Sequence, residues 1–156
     1  MIRMTRLTDY GIMLLTLFAR DAGHSMKSAR DLSREARLPL PTVSKILKLL
    51  ARHGLLEAHR GVRGGFTLSR KPDAITMAEV IGALEGPIGV TDCCAPPSDC
   101  GIEKSCIVKS NWMKINKVVL DALARITLAE MTHPIHLENA PVEWRGGSRF
   151  ATARKD

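Results

Sequence analysis

Four cysteines, Cys93, Cys94, Cys100 and Cys106, are the only ones in the chain, and they fall within 14 residues of one another. Thiolates are soft ligands and redox-active nucleophiles, so such a cluster points to metal or redox chemistry before it points to structural disulfides. Cys94, Cys100 and Cys106 are evenly spaced, with five residues in each gap. Zinc sites usually pair their ligands two to four residues apart, and only the Cys93–Cys94 neighbours come closer than that. Five-residue gaps on a Gly- and Pro-containing loop can wrap three thiolates around a larger object, an iron–sulfur cluster. Cys93 is one source of a fourth ligand, although adjacent cysteines reach a single cluster only with strain. Structural zinc, regulatory disulfides and inert thiols remain open on spacing alone. No histidine lies within the loop; the five, His24, His53, His59, His133 and His136, are scattered. No nucleophile–base signature of an enzyme is present, so no catalytic residue is assigned.

A second set of chemistry-bearing residues is basic. Residues 1–73 hold 14 Lys and Arg against 6 Asp and Glu, a net of +8, while residues 74–156 hold 9 against 10, a net of −1. The positive charge therefore sits where a polyanion would bind. Within it, Thr42, Ser44, Lys45 and Lys48 share the polar face of one amphipathic stretch that Pro41 opens, and Arg60, Arg63 and Gly64 share a glycine-rich turn; all of these are candidate DNA contacts. Lysines suit phosphates, which position a protein without reading sequence, whereas the Thr42 and Ser44 hydroxyls can reach base edges. Stacking aromatics are nearly absent from this half, only Tyr10, Phe18 and Phe66, which argues against single-stranded RNA.

The elements that must carry these residues follow from periodicity. Leu7 to Ala22 reads as a helix, with Thr8 as N-cap, Asp9 in the first turn and Gly23 as stop. Ser28 caps a short second helix to Ala36. Pro39 breaks the chain, and a third helix runs from about Pro41 to His53, ended by Gly54. Leu55–Ala58 and Phe66–Ser69 read as strands around the basic turn, a hairpin. Helix, helix, break, helix and basic hairpin make a winged helix-turn-helix, whose third helix fits the major groove of double-stranded DNA. Thr76–Glu79 is a capping box opening a helix to about Leu84, and a loop from Gly86 carries the cysteines. A long helix from about Ser105 to Arg125 and a short one opened by Thr127–Glu130 complete the pattern. The expected organisation is a mainly α chain: DNA-binding domain 1–73, cysteine loop and dimerisation helices 74–132, and a disordered tail 133–156.

The chain has 156 residues, 45% of them hydrophobic and 4% aromatic, so its core must be aliphatic. No apolar run approaches membrane-spanning length and no signal-peptide pattern opens the sequence, which predicts a cytoplasmic, reducing setting and no membrane partner.

Residues 1–132 resemble the Rrf-two family of winged-helix repressors, and most closely its branch that regulates Suf-type cluster assembly. The resemblance is carried by Leu7-Thr8-Asp9-Tyr10-Gly11, by the Leu55–Leu68 segment with Arg60-Gly61 and Gly64-Gly65-Phe66, by the three evenly spaced cysteines, and by Ile126-Thr127-Leu128-Ala129-Glu130. It implies a homodimer held by the long helix and bound to a pseudo-palindromic operator. It implies that Cys94, Cys100 and Cys106 ligate a 2Fe–2S or 4Fe–4S cluster, that Arg60 enters the minor groove, and that Ser44 lies on the base-reading face; Ser28 is a further expected DNA contact. One member of the family completes its site with a histidine three residues after the last cysteine; here that position is Lys109, a cation that cannot ligate while charged. Another uses an aspartate near the start of the first helix, supplied by the partner subunit. Asp9 matches that position and is the expected fourth ligand, with Cys93 second.

Overall fold

In the computed structural model, residues 4–21, 25–62, 64–98 and 100–133 are described. Five α-helices and one two-stranded antiparallel sheet are present among them: α1 Arg6–Arg20, α2 Ala29–Ala36, α3 Leu40–Arg52, β1 Leu56–His59, β2 Gly65–Leu68, α4 Met77–Glu85 and α5 Lys109–Arg125. Short 3-10 turns lie at Pro72–Ala74, Asp92–Cys94 and Glu130–Thr132. The expected stop at Gly23, the helix end at Ala22 and, beyond His133, the expected tail lie outside the described residues.

The helix starts follow the local chemistry, with one correction. Ser28 caps α2 by accepting from the Asp31 amide at 3.2 Å. Thr76 and Glu79 form a complete capping box on α4. The cap of α1, however, is Thr5 rather than Thr8: the Thr5 hydroxyl accepts from the Thr8 amide at 3.3 Å. Thr8 lies wholly buried instead, and its hydroxyl donates to the Glu85 carboxylate at the end of α4. Between α2 and α3 the turn is made by Arg37 in the left-handed conformation, φ 53°, with Pro39 following. The expected helix from Ser105 begins four residues later, at Lys109, because 101–105 form consecutive turns. The helix expected after Thr127 is a 3-10 turn, although its capping exchange is made: Thr127 N–H donates to Glu130 at 2.7 Å and Glu130 N–H to the Thr127 hydroxyl at 3.3 Å.

One continuous core joins these elements. Leu14, Leu15 and Phe18 of α1 meet Ile46, Leu47 and Leu50 of α3, and the same cluster takes in Leu32, Leu56, Val80 and Leu128. The helices of the helix-turn-helix are thereby fixed to α4. Gly11 lets α1 and α4 approach so closely that any Cβ there would run into the Leu84 side chain. The wing is fixed as well. Besides the β1–β2 ladder, with Leu56 opposite Leu68 and His59 opposite Gly65, β2 pairs with the chain ahead of α2 through Lys27 N–H to Phe66 O at 3.0 Å and Phe66 N–H to Lys27 O at 2.9 Å. Lys27 also pairs with Asp21 at 2.8 Å and Glu35 at 3.0 Å, tying together the end of α1, α2 and the wing.

Leu128 is fully buried, and its N–H donates to Ile75 O at 2.8 Å, so residues beyond α5 return to the core beside α4. Truncation at this place removes a buried side chain and leaves a cavity. Leu128→Ala is expected to cost about 2–5 kcal/mol of unfolding free energy, read from the urea midpoint. The Glu85 contact adds a pH dependence. Its carboxyl is held below the ordinary value of 4.5, chiefly by the Thr8 hydroxyl; burial opposes this, and the Thr5 amide adds a smaller pull downward. A depressed carboxylate contributes stability that is complete above its unfolded value and is lost as pH falls through the lower folded value. Glu85→Gln should therefore lower the urea midpoint at pH 7 while flattening its fall below about pH 4.5; an unchanged acid limb would show that the contact contributes nothing.

Candidate nucleic-acid interface and cysteine loop

The polar face of α3 lies open. Pro41, Lys45 and Lys48 are exposed, while Thr42 and Ser44 are half-buried beside the core residues Val43, Ile46 and Leu47. The two lysines can swing out to phosphates, and the two short hydroxyls are held close to the helix surface, where their position is fixed. The helix begins after Pro39, which offers no side-chain cap to the first amides, leaving donors for which a phosphate oxygen is a natural partner. Ser28 is partly engaged: its hydroxyl also donates to the Asp31 carboxylate at 2.6 Å.

The wing extends from the same side of the sequence. Arg60 is exposed directly after β1. The turn beyond it is closed by Gly64 N–H to Gly61 O at 2.9 Å. Gly61 has φ 115°, and a Cβ on Gly64 would come within 2.5 Å of His59 O, so both glycines are needed for the turn. Gly64 itself is half-buried. Arg63 lies outside the described residues.

The cysteine loop lies over α5. Asn116, the sole buried residue of that helix, accepts from Val90 N–H at 3.0 Å and donates to Ile88 O at 3.3 Å, which pins the start of the loop. Next comes the turn Asp92–Cys94. The Thr91 hydroxyl contacts both Cys93 Sγ at 3.2 Å and Cys94 Sγ at 3.3 Å. Cys94 is buried, Cys93, Cys100 and Cys106 are half-buried, and all four are free thiols. At the far end, Lys109 pairs with Glu103 at 2.6 Å. Its amine is held protonated above its ordinary value, first by the hydrogen bond to Glu103, then by that carboxylate's charge, with smaller support from Cys93 and Cys106. Lys109 is thus occupied as a cation next to the thiols. Soft, uncombined thiols fit an iron or zinc centre chemically, but among the described residues no three Cys, His, Asp or Glu side chains stand together as a ready metal cradle. Asp9 is exposed in the first turn of α1 and joins no such group among the described residues.

Comparison with known proteins places this combination. The family profile Rrf2, described as an iron-dependent transcriptional regulator, matches residues 4–134. The chain belongs to the Rrf2 family. It is 29% identical to the HTH-type transcriptional regulator IscR of Erwinia tasmaniensis over 131 residues, covering 82% of this chain and 79% of that protein. Its fold superposes on CymR, the global cysteine regulator of Bacillus subtilis, with a TM-score of 0.66 at 26% identity, over 85% of this chain and 97% of the other. The IscR of T. potens gives 0.60 at 26%, over 83% and 85%. As an Rrf2 protein the chain is a DNA-binding winged-helix transcriptional regulator and not an enzyme. No described helix is long and apolar enough to cross a membrane.

The functional groups that sequence reasoning missed are those that position others. Asn116 sits in an apolar stripe and carries no motif. Lys27 reads as one more surface cation in a basic half. Glu103 had no visible partner until Lys109 was found beside it.

Proposed function

We propose that this Rrf2 protein is an iron–sulfur-cluster-sensing regulator, a homodimer that binds a pseudo-palindromic operator in the cytoplasm and represses genes of cluster assembly or related stress responses. The observation that carries the reading is Asn116. Through it the loop bearing all four thiols is bonded directly to α5, whose Trp112, Met113, Ile115 and Val118 stay exposed as a surface for a second copy. A change in the loop therefore bears on the helix that would set the distance between two wings. Residues 1–73 form the output and residues 74–132 the input, on a shared core.

In this reading Cys94, Cys100 and Cys106 hold the cluster, and Asp9 of the partner subunit completes the ligand set, with Cys93 the second choice. A carboxylate oxygen is a harder and weaker donor to iron than a thiolate, which suits a labile site. The bound group would supply iron that oxidation, nitric oxide or iron loss can alter. Thr91 holds the Cys93–Cys94 turn, and Lys109, committed to Glu103, stays out of the ligand set. On DNA, Thr42 and Ser44 read base edges, Ser28, Pro41, Lys45 and Lys48 lie along the phosphates, and Arg60, Arg63 and Gly64 form the wing tip.

A second reading keeps DNA binding and replaces the cluster by thiol or zinc sensing; the likeness to CymR favours it. One experiment separates them. The full chain is isolated anaerobically, assayed for iron and sulfide, used to select its operator from genomic fragments, and then compared with its metal-free form at fixed salt. Near-stoichiometric iron and sulfide with different operator affinities support cluster sensing; equal affinities of the two forms overturn it.

A further inference from the structure

The tip of the wing carries an apolar side chain with no packing partner. Val62 is fully exposed, 108% relative to a free residue, and is the most exposed of the large hydrophobic side chains in the described residues. A single exposed valine is ordinary on a protein surface. The position of this one is not ordinary. It follows Arg60 and Gly61 in the turn that joins β1 to β2, which is closed by the Gly64 N–H to Gly61 O hydrogen bond at 2.9 Å. The side chain is left wholly to solvent.

The chemistry of the minor groove gives such a group a use. On its floor, A·T pairs present only the adenine N3 and thymine O2 acceptors, whereas a G·C pair adds the guanine 2-amino group. A branched aliphatic side chain fits against a smooth A·T floor. Against G·C it meets the projecting amino group and strips it of water. Valine is stiff about χ1, so little side-chain freedom is lost on docking. The neighbouring Arg60 guanidinium is drawn to the same narrow, negative groove. Resting on the DNA-binding reading of the wing, we propose that Val62 is a specificity-determining residue that lies on the minor-groove floor beside Arg60 and excludes guanine there.

The test uses the full-length protein and three probes, poly(dA-dT), poly(dI-dC) and poly(dG-dC) duplexes, at one salt concentration. Inosine presents the same major-groove face as guanine but lacks the 2-amino group. The wild-type chain should bind poly(dI-dC) more tightly than poly(dG-dC) by about fivefold, the lower end of what one altered base-pair contact carries. Val62→Ala should cut this preference to about twofold or less, chiefly by relieving the clash with the 2-amino group and tightening binding to poly(dG-dC). Lys45→Ala should weaken binding to all three probes alike and leave the preference intact. An equal preference in wild type and Val62→Ala, or none in the wild type, overturns the role of Val62 with DNA binding standing. Absence of salt-dependent binding to every probe overturns the DNA-binding reading and the proposal together.

Discussion

Replacing Lys45, Lys48 and Arg60 together by alanine should weaken binding to duplex DNA by roughly two to three orders of magnitude at 0.1 M salt. It should also reduce the slope of log affinity against log salt by about 3, because each lost phosphate contact removes about one released counterion. All three side chains are exposed, and none joins an ion pair among the described residues. They are therefore free for phosphates, and their removal should leave the fold almost untouched. Arg70, exposed but paired with Glu79 at 2.9 Å, is the control: Arg70→Ala should change the salt slope by less than one. Titration of fluorescent duplex at several salt concentrations gives both slopes. A triple variant with the wild-type slope would mean that α3 and the wing do not face the backbone.

The second large effect concerns the thiols. Cys94, Cys100 and Cys106 replaced together by alanine should yield a chain that carries essentially no iron or sulfide after anaerobic isolation, whereas Cys93→Ser should keep both. Asp9→Ala should retain the iron but alter the visible spectrum and speed cluster loss in air. These variants are separable from misfolding. Asp9 is exposed, Cys93, Cys100 and Cys106 are half-buried, and the one buried thiol, Cys94, loses only its sulfur to alanine, so circular dichroism should show an intact helical chain. Equal loss of iron from Cys93→Ser and Cys94→Ala would put Cys93 among the ligands. An unchanged Asp9→Ala spectrum would remove Asp9 from the set.

Most of the architecture was legible in the sequence, because its signals are local. Leu14, Leu15 and Phe18 share a helical face, Thr76 and Glu79 stand at capping-box spacing, and the strands flank glycines that only a tight turn requires. The failures are places where a distant residue decides. Thr8 and Thr5 are equally good caps by local rules; Glu85, in another helix, draws the Thr8 hydroxyl inward and leaves Thr5 to cap. The start of α5 moved from Ser105 to Lys109 because turns hold the chain up to Ser105, and Lys109 reaches back to Glu103. At the site, residue type announced the cations and thiols. It could not show that Thr42 and Ser44 are half-buried, nor that Asn116 fastens the loop to α5, since an asparagine amid apolar residues looks like an error in the stripe until its two backbone partners are seen.

Leu128 bears on how the protein is made. The core that supports α1 and α3 is left with a gap until this side chain arrives, and its backbone partner Ile75 precedes it by the whole of α4, the cysteine loop and α5. A chain emerging from the ribosome at about 5–20 residues per second thus exposes its DNA-reading helices for several seconds before they are locked. Products cut short ahead of Leu128 lack that lock. By closing its core last, the sequence makes synthesis through Leu128 a condition for a fully packed α1 and α3.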